Sequence, residues 1–111
     1  MDQHPLVIAD KSGFIRHWSE GAATTFGYRA DQALGQTLDL IVPLEYREAH
    51  WKGFRRAMET GAAEVDGQNA QFPVQRADGS AAVFSGAVKL LRSPQNLVIG
   101  AMVIFDPTPM A

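Results

Sequence analysis

The sequence predicts an α+β domain, a five-stranded antiparallel sheet with short helices and one long helix packed on one face. Three observations predict it. Strand-period patterns joined by turn residues occur at both ends of the chain. The middle carries helix caps and a 3.6-residue apolar period. Two sets of strands flanking one block of helices fold as one sheet when the helices share a face. With 111 residues and no internal repeat or linker, residues 1–111 read as a single domain with one core.

Residues 6–9 (LVIA) are a short apolar strand. Residues 10–13 (DKSG) have turn chemistry, with Gly13 free to take positive φ, and 14–18 (FIRHW) resume as a strand, so the unit is a hairpin. Ser19 offers an N-cap and Glu20 suits the positive end of a helix dipole. The segment 21–27 is then a short helix stopped by Gly27, and 30–35 is a second, stopped by Gly35. Residues 37–43 are a third helical turn or irregular chain, ended by Pro43. Pieces this short must drape over something larger.

The long helix spans 44–60, with Glu45, Arg47, Glu48, Lys52, Arg55 and Glu59 on its wet face and Gly61 as its stop. A loop follows at 62–67. From 69 to 75 the alternation puts Ala70, Phe72 and Val74 on one face, and Pro73 marks an edge strand or a bulge. The AspGly at 78–79 is a hairpin turn leading into a strand at 81–91. Residues 93–96 turn again, and the nearly continuous apolarity of 97–105 marks a central, covered strand.

Composition narrows the function. Hydrophobic residues make up 46% of the chain and charged residues 20%, which favours a folded globule over disorder. A net charge of −2 gives no electrostatic footprint for nucleic acid. No apolar run is long enough to span a membrane, and the N-terminus lacks the pattern of a signal peptide, so a cytoplasmic location is expected. Cysteine is absent, which removes disulfides, thiolate metal sites and cysteine nucleophiles. The histidines at 4, 17 and 50 lack zinc-site spacing. No Ser/His/Asp order, paired carboxylates or phosphate loop occurs, so nothing points to an enzyme.

His50 stands out. Tyr46, Phe54 and Ala57 lie at i−4, i+4 and i+7 from it, which puts an imidazole on the apolar stripe of the long helix. Such a residue either satisfies a buried hydrogen bond or binds something. Gly53, at i+3, removes side-chain bulk beside it. Phe54 is core or pocket wall, and Trp51, turned about 100° away around the helix, packs against Met58 or the loops.

The segments GAATTFGY at 21–28, LG at 34–35, LDLIVP at 38–43, RADG at 76–79 and FDPT at 105–108, in this order of elements, resemble a PAS domain over essentially the whole chain. Residues 38–79 resemble the haem-binding PAS domains of the rhizobial oxygen-sensing histidine kinases. The resemblance implies haem b with His50 as proximal iron ligand and Arg56 beside a propionate, with Arg55 as the candidate one residue earlier. It puts Ala70 where that family has its distal, oxygen-stabilising arginine, so that contact does not carry over. The implied function is sensing of a diatomic gas (O2, CO or NO) or of redox state.

The distal wall would come from the last three strands, with Ala70, Phe72, Val88 and Met102 as candidates. Met102 is either a core methionine or a thioether ligand. A pocket this apolar favours CO and NO over O2, which gains most from a hydrogen-bond donor. Without cysteine, the covalent photochemistry of flavin and yellow-protein PAS domains is excluded, and non-covalent flavin stays open. The other reading is a cofactor-free module that forms a homodimer or docks on a partner signalling protein through the sheet, or one that binds another apolar ligand. Pro107 and Pro109 preclude a helix running on from Phe105, so the chain is expected to be an excised domain or a module signalling by contact.

Overall fold

The two ends of the chain meet in the sheet. The computed structural model describes residues 3–63 and 66–110. The first hairpin is β1 (Leu6–Asp10) and β2 (Ile15–Trp18), and the last three strands are β3 (Asn69–Gln75), β4 (Ala81–Arg92) and β5 (Val98–Phe105). Every pairing between these strands is antiparallel and the strand order is β2-β1-β5-β4-β3. The apolar β5 is therefore central, and β3, which carries Pro73, is an edge strand, where a missing N–H costs no ladder bond.

Between β2 and β3 run α1 (Glu20–Phe26), α2 (Ala30–Ala33), two 3-10 turns at Leu38–Leu40 and Leu44–Tyr46, and α3 (Arg47–Thr60). Ser19 caps α1, its hydroxyl accepting from the Ala22 N–H at 3.1 Å. Thr37 does the same for the Asp39 N–H at 3.3 Å. The expected helix at 44–60 begins instead as a 3-10 turn, the Tyr46 N–H reaching the Pro43 carbonyl at 2.9 Å. No side chain caps this end, so the first turn tightens to satisfy its own amides. The expected loop at 62–67 falls partly on Glu64 and Val65, outside the described residues.

The register sorts the sheet into two faces. Pairs such as Val7↔Val103, Ala9↔Ala101, Leu90↔Ala101 and Phe72↔Phe84 face the helices. Ile8↔Met102 and Lys89↔Met102 face away. On the inner face the core divides in two. One cluster gathers around Phe26, whose ring meets Phe84 at 5.3 Å and Phe105 at 5.2 Å, both edge-on. Burying such a side chain contributes roughly 1.5–3 kcal/mol. The second cluster holds Ala57, Met58, Leu90 and Val98.

The second cluster docks only the C-terminal half of α3, since Ala57 and Met58 are its buried residues. Arg92 fixes that end by donating to the Gly61 carbonyl. Arg47 holds the other end from the preceding segment, donating to the carbonyls of Val42 at 2.9 Å and Asp39 at 3.2 Å. The N-terminal half of α3 is thus suspended over the sheet rather than packed on it.

Candidate functional site

A cavity of about 450 Å³ opens under that suspended half. Its helical wall is Tyr46, Ala49, His50, Gly53, Phe54 and Ala57; its floor is the inner face of the sheet, with Val7, Ala9, Phe72, Val74, Val88, Leu90, Ala101, Val103 and Phe105. Members of both core clusters border it, so the cavity is the gap between them. Ligand pockets fall at about 300–1,000 Å³, and this one is in that range. The floor offers no side-chain hydrogen-bond donor.

His50 is the imidazole of the lining, the side chain there best suited to bind a metal. Burial holds its pKa below the ordinary 6.5, partly opposed by the charge of Asp39. At neutral pH the imidazole is therefore uncharged and keeps a lone pair for coordination. Its Nδ1 is buried and has no hydrogen-bond partner among the described residues. An unsatisfied buried polar atom costs about 1–3 kcal/mol, so the site holds a polar group that the protein itself does not pair. Nε2 is not among the buried unpaired atoms of the described residues. Beside it, Gly53 leaves open space where any other residue would project a Cβ.

The next residue, Trp51, closes the outer flank. Its ring stacks on Phe54 at 5.5 Å and 13°, and meets the His50 ring edge-on at 4.8 Å. The indole N–H donates to Asp39 Oδ1 at 2.7 Å. It lies over Gly13, where a Cβ would collide with the ring and where φ is +88°. The hairpin turn thus carries a glycine for two reasons, backbone conformation and close approach of a tryptophan.

A family model described as "PAS fold" matches residues 3–108. The chain belongs to the PAS family. This PAS domain is 26% identical over 74 residues to the "Oxygen sensor protein DosP" of Escherichia coli (strain K12), a match covering 67% of this chain and 9% of that protein. The chain spans about a tenth of the length of the curated relatives it matches. Among solved structures it superposes on the PAS domain of a protein from Colwellia psychrerythraea with a TM-score of 0.81 and 21% identity, covering 97% of this chain and 88% of that one. It superposes on the PAS domain of the Cronobacter turicensis quorum-sensing receptor RpfR, in complex with BDSF, with a TM-score of 0.74 and 15% identity, covering 97% of each. The same domain is known in complex with C12:0. The family match makes the chain a PAS domain, a type of sensory module that is generally non-catalytic, and the structural likenesses show the fold.

The PAS domain brings six of the sequence-derived site residues together: Tyr46, His50, Gly53 and Phe54 on the helical wall, Phe72 and Val88 on the floor. Three are placed elsewhere. Arg56 is exposed and does not line the cavity, being 240° around the helix from His50 at about 100° per residue. Met102 pairs with Ile8 and Lys89 on the outer face, so it is neither cavity wall nor a ligand in it. Ala70 stands on the inner face opposite Gly86 but outside the cavity lining. Trp51 meets the hairpin turn, as expected, through Gly13. Sequence reading missed Val7, Ala9, Ala101 and Val103. The first two sit in the short apolar run of β1, whose alternation appears only in the burial of the folded strand. The last two likewise sit in an unbroken apolar run, where parity cannot be read.

Proposed function

We propose that this PAS domain is a small-molecule sensor whose ligand occupies the cavity under α3, with haem b as that ligand and His50 as its iron ligand. The observation that carries the reading is His50 itself: a neutral imidazole lining an otherwise apolar cavity. The residues fit the group. His50 would hold the iron through a ring nitrogen, Gly53 leaves room for a flat macrocycle beside the helix, and the apolar floor excludes water. Haem bound there would supply an iron able to bind a diatomic gas. The likeness to the oxygen sensor protein DosP supports the reading. The floor has no donor to stabilise a polar ligand, which favours CO or NO over O2 as the sensed gas.

A second reading has its own observation. The cavity walls are nearly all aliphatic or aromatic, as suits a hydrocarbon chain, and the fold is that of the RpfR domain seen with BDSF and C12:0. A non-covalent flavin is less well served, because its ring system needs more polar partners than His50 and Tyr46. The signal would leave through the outer face of the sheet, where Ile8, Met102, Ile104 and Val83 lie, toward a second copy or a partner signalling protein.

Titration of the purified domain with haemin, followed by absorption, tests the reading. One equivalent producing a sharp Soret band that shifts on reduction and again on CO addition is the expected result. Uptake of no haemin, together with a raised unfolding temperature in dodecanoic acid, would replace haem by the aliphatic ligand.

A further inference from the structure

The β1–β2 turn is held by two contacts that begin at the cavity wall. Leu38 lines the cavity, and its N–H donates to the Gly13 carbonyl at 3.1 Å. Trp51 stands behind two further lining residues, stacked on Phe54 and edge-on to His50, and rests on Gly13. Gly13 is buried, whereas Lys11, Ser12 and Phe14 around it are exposed. The indole is pinned at one edge. Its N–H donates to Asp39 Oδ1 at 2.7 Å, and Arg47 Nε braces the same oxygen at 3.9 Å. The opposite edge of the ring system, Cη2 and Cζ3, is the part that a Cβ at Gly13 would strike. A rigid plane pinned at one edge turns about that pin when its face is pushed. Phe54 is stacked on that face at 13°, and close-packed rings pass a displacement on rather than absorb it. The turn has little slack of its own. The Asp10 carboxylate accepts from the Ser12 N–H at 2.9 Å and the Phe14 N–H at 3.0 Å, and the Asp10 N–H donates to the Phe14 carbonyl at 2.9 Å. A push at Gly13 is therefore carried into β1, whose register with β2 shifts between Ile8 and Ala9, and Ile8 stands on the outer face of the sheet.

We propose that Trp51 is a lever that couples occupancy of the cavity to the β1–β2 turn. This rests on the reading of the cavity as a ligand site and adds how that site is read out. A ligand pressing on Phe54 and His50 tilts the indole about its bond to Asp39, and the far edge bears down on Gly13 and tightens the turn. Such coupling needs two arrangements that the ligand binds differently. Here they differ in the tilt of the indole, and so in how firmly the turn is held.

Amide hydrogen exchange, read by mass spectrometry on the peptide that spans the turn, tests this with haemin and dodecanoic acid as the probes. Uptake is measured separately, by absorption for haemin and by unfolding temperature for the acid. The β4–β5 turn at 93–96 is the reference for stabilisation of the domain at large. The expected result is that the probe taken up slows exchange at the β1–β2 turn by about fivefold or more relative to that reference, the low end of coupling between two sites. Trp51→Phe keeps a ring against Phe54 but has neither the N–H nor the far edge, and at saturating probe it should lose most of that slowing. Asp39→Ala, which unpins the indole and leaves the ring in place, should do the same, and it carries the test if Trp51→Phe does not fold. Slowing of equal size in wild type and variants would overturn Trp51 as the link. Uptake of a probe with unchanged or faster exchange at the turn would overturn the coupling and leave the cavity reading standing. Uptake of neither probe would overturn the cavity reading and the coupling with it.

Discussion

His50 couples stability to function at the scale of one side chain. Its unpaired Nδ1 destabilises the ligand-free domain, so His50→Leu should raise unfolding free energy by about 1 kcal/mol, read by denaturant titration, while abolishing ligand anchoring. The sign of the pH dependence follows from burial. With a folded-state pKa below 6.5, the imidazole is protonated more readily in the unfolded chain. Its contribution is complete above 6.5 and is lost as pH falls through the lower, folded-state value. The stability difference between wild type and His50→Leu should therefore change across the window below about pH 6.5 and be flat above it. A wild-type curve parallel to the variant's throughout would remove burial as the cause. This residue was legible in the sequence because one imidazole on an apolar helical stripe breaks the pattern around it. Asp39, which holds Trp51 and faces His50, was not legible, since a lone carboxylate in an irregular segment looks like any solvated charge.

At the scale of the element, α3 is built to stand off the sheet. Gly53 in mid-helix is the sign. Glycine costs about 1 kcal/mol relative to alanine there, and its missing Cβ faces open space. Gly53→Ala should raise stability by about 0.8–1 kcal/mol with ligand uptake retained, whereas Gly53→Leu should fill the cavity mouth and abolish uptake. Unimpaired binding in Gly53→Leu would place the ligand elsewhere. The strands explain why site residues on the sheet were only partly foreseeable. In β3 the alternation of Asn69, Ala70, Gln71 and Phe72 reads cleanly because one face is polar. In β5 both faces are apolar, and the choice between Met102 and its neighbours Ala101 and Val103 depends on register with β1 and β4. A one-residue error of parity moves a side chain from the cavity to the outer face, which is what happened to Met102. Arg56, implied by the resemblance, stands on the exposed side of α3, where one position is about 100° around the helix.

At the scale of the whole molecule, the order of elements was legible because caps, turns and periods agree with one another along the chain. The cavity was not, because an absence of packing has no local signature; it arises from two core clusters that meet different parts of α3. A fold organised around such a gap should gain rigidity when it is filled. A saturating ligand at 100 times its dissociation constant adds about 2.7 kcal/mol of stability, read as a rise in unfolding temperature. The outer face of β4 and β5 exposes apolar side chains, Val83 and Ile104 among them, and sedimentation across a range of concentrations should show a mass rising toward twice the monomer's if it pairs with a second copy. The measurement that bears most directly on the central claim is the absorption spectrum of the haemin-loaded domain beside that of His50→Ala, with and without added imidazole. The variant should lose the wild-type band pattern, and imidazole, entering the space left by the side chain, should restore it. A variant whose haemin spectrum is identical to wild type without imidazole would contradict the assignment of His50 as the iron ligand.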